Sequence, residues 1–419
     1  MRCFVALGSN LGERRAQLEQ AAQKIKVLPQ ASALRAGPVF ETPALTPPNA
    51  PLSWRMPFLN SVVELEWSGG AQELLQALKQ IESEMGRKPA EKWSPRLIDL
   101  DLLLAGDEII TREDCVVPHP ELWNRSFVLG PLKHLHHPVL NRARHLHSQA
   151  PLWMGICNLT PDSFSDGGNL ASPNHWLKRI EDFERNNIQA FDLGAESTRP
   201  GATPVSPNDE WQRLQPALET LCAHFAGRIF KPWISVDTRH AQVAAQALEH
   251  GADTINDVSG LTDPAMLDVL KSSACQYVLM HSLSVPADRN VVLPSEGDPV
   301  AAVLTWAETQ LERLEKTGIS FDRILFDPGI GFGKTPEQSL AMIRRIDEFI
   351  KLPVRILVGH SRKSFMDTWA KRPAEARDGF GIGVSLHLAS KGVDVLRVHE
   401  PQLHANAHQA LQELQHEHP

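Results

Sequence analysis

"RILFDPGIGFGKT", residues 323–335, admits two folds. Its end, GIGFGKT, imitates the phosphate loop of a nucleotide-binding α/β domain. That motif needs a glycine where Pro328 stands, and proline also removes a backbone N–H that such a loop would offer to phosphate. The remaining reading is an apolar strand that stops at Asp327 and turns. Seven more apolar runs share that grammar: LWMGICN (152–158), AFDLGAES (190–197), WISVDT (233–238), DTINDVSG (253–260), YVLMHS (277–282), VRILVGHS (354–361) and VDVLRVHE (393–400). Helical patterns separate them. Eight strand and helix repeats predict an α/β (β/α)8 TIM barrel.

Each run ends in polar groups: Asn158, Glu196, Asp237, Asn256 with Asp257, His281, Asp327, His360 with Ser361, and His399 with Glu400. A barrel builds its active site at the C-terminal ends of its strands. Taken singly, any of these residues could instead cap the following helix, because Asp, Asn and Ser are favoured there. Polar endings on all eight runs favour the site.

Upstream, the grammar changes. CFVALGSN (3–10) and FLNSVVELEW (58–67) read as strands, LGERRAQLEQAAQKIK (11–26) and AQELLQALKQIESEM (71–85) as amphipathic helices, and RLIDLDLLLAG (96–106) as a further strand. That order predicts a small α+β sandwich. ETPALTPPNAPLSWRMP (41–57) is too proline-rich for regular structure and reads as a long functional loop. LNRARHLHSQAP (140–151) loses apolar periodicity and marks a linker, 139–150, between domains at 1–138 and 151–419.

Asp99 and Asp101 stand two apart in an apolar strand, so both side chains leave on one face. Two carboxylates about 4 Å apart repel by roughly 4 kcal/mol at an effective dielectric of 20, which calls for cations. Mg²⁺ with a nucleotide polyphosphate would supply them, since Mg²⁺ takes a few carboxylates and completes its shell with phosphates and water. The competing reading is a solvated strand face with the acids in water. Arg87, Lys88, Lys92 and Arg96 before the pair, and His119 and Arg125 after it, could grip a polyphosphate.

The net charge of −8 argues against a nucleic-acid binder. No apolar run reaches the length of a membrane span, and nothing resembles a signal peptide. Five scattered cysteines without a CxxC pair read as buried thiols of a reduced, cytoplasmic compartment.

ALGSNLG, FLNSVVELE, GRKPAEKWSPRLIDLDLLLAG and VPHPELWNRSFVLGPL, in that order, resemble 6-hydroxymethyl-7,8-dihydropterin pyrophosphokinases. The resemblance implies a ferredoxin-like fold in which Asp99 and Asp101 hold two Mg²⁺ that bridge ATP. It puts Arg87, Arg96, His119 and Arg125 on the nucleotide, and Thr42, Asn60 and Phe127 on the pterin. MGICNLTPDSFSDGG, ESTRPGA, ISVDT, INDVSG, DPGIGFGK, GHSRKS and RVHE resemble dihydropteroate synthases. That implies a pterin site of Asp237, Asn256, Asp327 and Lys363, of which Asp237 and Lys363 are also catalytic. Asn158, Arg397 and His399 would hold the pyrophosphate, with one Mg²⁺ on Asn158. Phe164, Ser165, Thr198, Arg199, Pro200, Phe332, Lys363 and Ser364 would enclose p-aminobenzoate. His360 fits packing or capping, and His281 stays outside the catalytic set.

Together the resemblances imply a bifunctional folate-biosynthesis enzyme. ATP and 6-hydroxymethyl-7,8-dihydropterin would give AMP and a pyrophosphate ester, which p-aminobenzoate would convert to 7,8-dihydropteroate. A homodimer through the barrel is possible by the same resemblance. Two other readings stay open: a pterin-binding barrel that transfers methyl groups, and a chain in which one half is a non-catalytic module.

Overall fold

The computed structural model describes residues 1–47, 49–87, 93–112, 114–135, 151–159, 173–199, 201–369 and 371–415, with backbone alone at 126, 173–176, 375 and 415. These residues fall into two compact units. One draws on Met1–Ala150, Gly227–Lys231 and His408–Pro419, the other on Pro151–Ala226 and Pro232–Ala407. No described helix is long and apolar enough to cross a membrane.

In the first unit, strands β1 (Arg2–Ser9), β2 (Ala31–Ala36), β3 (Phe40–Thr42), β4 (Phe58–Trp67) and β5 (Asp99–Ala105) form an antiparallel sheet in the order β2-β4-β1-β5, with β3 also on β4. Alternation sorts its side chains. Cys3, Val5, Leu7, Leu100 and Leu102 share a core with helices α1 (Arg14–Lys26) and α2 (Ala71–Glu84), while Phe4, Val62 and Leu103 pack with α3 (Ser126–Lys133) on the opposite face. Helix α1 buries Leu18, Ala21, Ala22 and Ile25, the i, i+3, i+4, i+7 stripe of an amphipathic helix. This is the expected ferredoxin-like sandwich. A hairpin of β6 (Ile110–Arg112) and β7 (Cys115–Val117) follows it.

Four strands go beyond the sequence reading: β2, β3, β6 and β7. β2 and β3 lie between α1 and the proline-rich stretch, and Glu41 and Thr42, expected in the loop, close β3. The other described residues of that stretch are irregular apart from a short 3-10 turn at Leu52–Trp54.

The second unit is a closed barrel of eight parallel strands: β8 (Leu152–Asn158), β9 (Ala190–Gly194), β10 (Trp233–Asp237), β11 (Thr254–Asp257), β12 (Gln276–Met280), β13 (Ile324–Asp327), β14 (Arg355–Gly359) and β15 (Val395–Val398). All eight apolar runs are barrel strands. Leu152, Met154, Ala190, Val278, Leu325, Leu357 and Val395 fill the interior. Their neighbours Tyr277, Leu279, Phe326, Val358 and Leu396 point outward into the larger core beneath the helices. Helices α4 (Pro173–Arg185), α5 (Pro207–His224), α6 (Ala241–Glu249), α7 (Met266–Ser272), α8 (Pro299–Lys316), α9 (Pro336–Arg344), α10 (Ile346–Phe349), α11 (Asp378–Lys391) and the first half of α12 (Pro401–Gln415), as far as Ala407, complete it. The rejected phosphate loop resolves here. Thr335 caps α9, accepting from the Gln338 N–H, while the Gln338 side chain accepts from the Thr335 N–H.

Candidate active sites

In the first unit, β5 turns Leu100 and Leu102 into the core and aims Asp99 and Asp101 into a cavity of about 300 Å³. The acids do not face each other bare. The Asp99 carboxylate accepts from Arg87 at 2.6 Å and from Arg96 at 2.9 Å. Asp101 has Lys79 at 3.9 Å and Arg125 at 3.8 Å. Four cations around two half-buried carboxylates remove the solvated-face reading.

The same cavity is lined by Gly8, Thr42, Asn60, His119 and Phe127. Asn60 donates from Nδ2 to the Thr42 hydroxyl at 2.8 Å, which leaves Oδ1 as its open acceptor. Gly8 makes room for that amide, since a Cβ there would lie 2.9 Å from Asn60 Oδ1. His119 Nδ1 accepts from the Glu121 N–H, so the ring proton sits on Nε2, and burial lowers the pKa of the ring. The Arg125 guanidinium lies 5.7 Å from the centre of the Phe127 ring. Lys88 and Lys92 lie outside the described residues.

At the C-terminal end of the barrel, Arg397 on β15 donates from Nε to Asp192 at 2.5 Å and from Nη2 to Asp237 at 2.9 Å. Burial pushes the Asp237 carboxyl up, against the pull of Arg397. Asn256 donates from Nδ2 to Asp192 at 3.1 Å, and because a carboxylate only accepts, Asn256 Oδ1 is turned away from it. Asp327 is held by backbone N–H groups of Gly329 at 2.7 Å and Gly359 at 3.3 Å. Gly359 marks where three groups converge. A Cβ on it would meet Asp327 Oδ2 at 3.5 Å, Arg397 Cδ at 3.9 Å and Lys363 Nζ at 4.0 Å. Lys363 donates to the Ile330 carbonyl at 2.5 Å and sits 4.6 Å from the centre of the Phe332 ring. Burial brings its pKa down to about 8, against the pull of Asp327.

His399 bonds Ser361 Oγ at 3.0 Å, and burial, with Arg362, Arg397, Arg199 and Arg179 nearby, lowers its pKa to about 3. This neutral ring among guanidiniums marks an anion-seeking corner. Asn158 ends β8 half-buried, Thr198 is half-buried, and Arg199 and Ser364 are exposed. Phe164, Ser165 and Pro200 lie outside the described residues. Other strand-end groups are absorbed by structure. Glu196 pairs with Arg239, Asp257 accepts from Ser259, Leu261 and Tyr277, and His360 is buried against Gly381 and Ser385.

Residues 4–137 match the 7,8-dihydro-6-hydroxymethylpterin-pyrophosphokinase family and residues 154–399 match the pterin binding enzyme family. The folate synthesis bifunctional protein of Chlamydia caviae is 34% identical over 94% of both chains. The chain belongs to the folate synthesis bifunctional family. A mitochondrial member from Arabidopsis thaliana is 32% identical over 96% of this chain and 81% of its own. Among solved structures, the dihydropteroate synthase of Xanthomonas albilineans with 4-aminobenzoic acid is 33% identical, with a TM-score of 0.58, over 64% of this chain and 93% of that one. The same enzyme in complex with 7,8-dihydropteroate matches at 30% identity and a TM-score of 0.56, over 64% of this chain and 94% of that one.

Four residues of this folate synthesis chain escaped the sequence reading. Asp192 lies inside AFDLGAES, where an acid between apolar neighbours looks like ordinary strand. Glu82 falls on the buried stripe of α2, one turn beyond Leu78, with Lys79 at its flank; it is 3% exposed, and burial raises its pKa. Glu82 accepts from Arg87, from Lys79 at 3.1 Å and from the Leu100 N–H at 2.7 Å, while Lys79 donates to the Leu100 carbonyl at 2.8 Å. Both polar groups of the residue between the two aspartates are thus tied to α2. Lys334 stands in DPGIGFGK, where the resemblance gave roles to Asp327 and Phe332 and none to this lysine.

Proposed function

We propose that the two units catalyse successive steps of dihydropteroate synthesis, the first within 1–138 and the second within 151–419, joined by 139–150. In the first, the hydroxymethyl oxygen of 6-hydroxymethyl-7,8-dihydropterin attacks the β-phosphorus of ATP, the bond to the α,β-bridging oxygen breaks, and AMP leaves. In the second, the pterin methylene loses pyrophosphate and gains a carbon–nitrogen bond to p-aminobenzoate, whose amine gives up a proton. The observation that carries this reading is the pairing of Asp99 and Asp101 in one cavity with Asn60, His119 and four cations.

The donor set fits Mg²⁺. Two carboxylates on one strand face, opening into a cavity, are what this ion takes from a protein when nucleotide phosphates and water complete its shell. Asp99 and Asp101 would hold two such ions, which neutralise the polyphosphate and polarise the transferred group. Arg87 and Arg96, already on Asp99, lie within reach of whatever Asp99 binds, and Arg125 and His119 Nε2–H would donate to phosphate oxygens. Asn60 Oδ1 would accept from the pterin edge beside Thr42, with Phe127 on its face.

In the barrel, Asp327 and Asn256 Oδ1 supply acceptors for the amino and ring N–H groups of a pterin, and Lys363 supplies a donor. Asp237 is placed to stabilise positive charge that develops at the methylene as the leaving group departs. His399 and the arginines about it, with the end of Arg397 not spent on Asp192 and Asp237, would receive pyrophosphate. Asn158 alone is a single neutral oxygen, so an Mg²⁺ there would be held chiefly by the pyrophosphate itself. Phe332, Lys363 and Ser364, with Thr198 and Arg199, would border p-aminobenzoate, and Phe164, Ser165 and Pro200 are proposed there by resemblance.

A stepwise assay tests the proposal. Protein given ATP, Mg²⁺ and hydroxymethyldihydropterin is expected to release AMP, and later addition of p-aminobenzoate to yield dihydropteroate with one pyrophosphate per product. AMP without a subsequent p-aminobenzoate-dependent product would leave the barrel a non-catalytic module.

A further inference from the structure

We propose that Lys334 is a positioning residue of the arylamine half-site: its ammonium clasps the turn that carries Phe332 and so sets where p-aminobenzoate lies. The inference rests on the reading that Phe332 and Lys363 border that substrate.

Lys334 is 6% exposed. Its Nζ lies 2.8 Å from His281 Nδ1, 2.9 Å from the Phe332 carbonyl and 3.4 Å from the His281 carbonyl. An ammonium has three N–H donors, and these three acceptors occupy all of them, leaving none for a ligand. All three acceptors are neutral. Burial brings the pKa of this lysine down to about 7, against the pull of Asp327.

The turn is also held by the Gly329 N–H on Asp327 at 2.7 Å, by the Gly333 carbonyl accepting from the Leu293 N–H at 2.9 Å and by Ile330 buried in the core, but Lys334 is the side chain that holds the carbonyl of Phe332 itself. At Gly329, with φ +69°, a Cβ would fall 1.9 Å from the His281 carbonyl oxygen, and at Gly333, with φ +65°, 2.6 Å from the Leu283 side chain. Residues 329–333 therefore lie directly on the segment that follows β12. Lys334 ties the turn to that segment at Phe332 and His281, and Lys363 ties it from the other side at the Ile330 carbonyl. Between the two lysines, the Phe332 ring is fixed 4.6 Å from the Lys363 ammonium. That juxtaposition of an aromatic face and a cation suits an aromatic carboxylate. His281 gains a role as well, that of the acceptor that anchors Lys334, which accounts for a buried histidine whose pKa burial and Lys334 bring down to about 3.

The test uses the full chain with the pterin pyrophosphate ester supplied, varying each substrate in turn. Lys334→Met is expected to raise KM for p-aminobenzoate about tenfold, with kcat and the KM for the ester changed by less than about twofold. Lys334→Gln keeps two N–H donors and is expected to show the same selectivity with a rise of about threefold. In a Phe332→Ala background, Lys334→Met is expected to add less than about twofold, because the two changes act through one ring. Equal losses at both substrates, full multiplication of the two effects, or an unchanged KM for p-aminobenzoate would overturn the proposal. Phe332→Ala with a wild-type KM for p-aminobenzoate sinks the acceptor-pocket reading itself and the positioning role with it. Should Lys334→Met fail to fold, the glutamine variant decides: a rise confined to p-aminobenzoate supports the clasp, and any other pattern contradicts it.

Discussion

Glu82 is a carboxylate standing where the periodicity of α2 calls for an apolar side chain. It lies one turn beyond Leu78 on the buried stripe, and it accepts from the Leu100 N–H between the two site aspartates. Glu82→Gln is expected to cost about 1–3 kcal/mol of stability, since Lys79 and Arg87 lose their buried counter-charge. AMP formation should fall about tenfold through the displaced strand, with the second step unchanged; urea unfolding and separate assays of the two steps check this. Lys363 gives a pH signature. Its native pKa of about 8 lies below the ordinary 10.5, so the ester KM should rise as pH passes about 8, and Lys363→Arg should flatten that limb. Stability runs the opposite way over the same window. Below about 8 the native state holds a buried cation at a cost, which is relieved as pH rises toward 10.5. The paired aspartates were legible as same-face residues and Asp327 as a strand end, while Asn60 and Lys363 came only from the resemblance. Asp192 and Lys334 were not legible, because nothing in local spacing separates a buried, fully bonded charge from one on a surface turn.

At the scale of elements, legibility followed burial. The eight barrel strands are covered on both faces, so each reads as a short continuous apolar run. β1 reads the same way, β4 by its period-2 alternation, and β5 as an apolar run broken by Asp99 and Asp101. β2, ASALRA, is three alanines and a single leucine among polar residues at the sheet edge, with no buried position, a register shift between Ser32 and Arg35 and a positive φ at Ala33, so no period-2 signal announces it. β3 has only three residues and stands beside a proline-rich stretch that masks it. The turn after β13 carries a prediction of its own. Gly329→Ala combines a left-handed backbone with a Cβ driven into a carbonyl oxygen, and is expected to destabilise the barrel by about 2 kcal/mol or more. A barrel unfolding transition at the wild-type urea concentration would contradict that geometry.

For the whole molecule, the two units are complete in different ways. The first gathers four cations and paired acids around one cavity, and the second gathers buried carboxylates, an amide, a lysine and a neutral histidine among arginines at one end of a barrel. Each product-forming step has its own residues, and no described residue is assigned to both. The assignment of one reaction to each unit is the central claim, and paired variants test it most directly. Asp99→Ala and Lys363→Ala are assayed for AMP release from ATP and hydroxymethyldihydropterin, and for dihydropteroate formation from supplied ester and p-aminobenzoate. Asp99→Ala is predicted to lose the first by about 10³-fold or more and keep the second, and Lys363→Ala to keep the first and lose about 10²-fold of the second. An Asp99→Ala protein that still releases AMP at the wild-type rate, or one that loses both reactions while folded, would contradict the account.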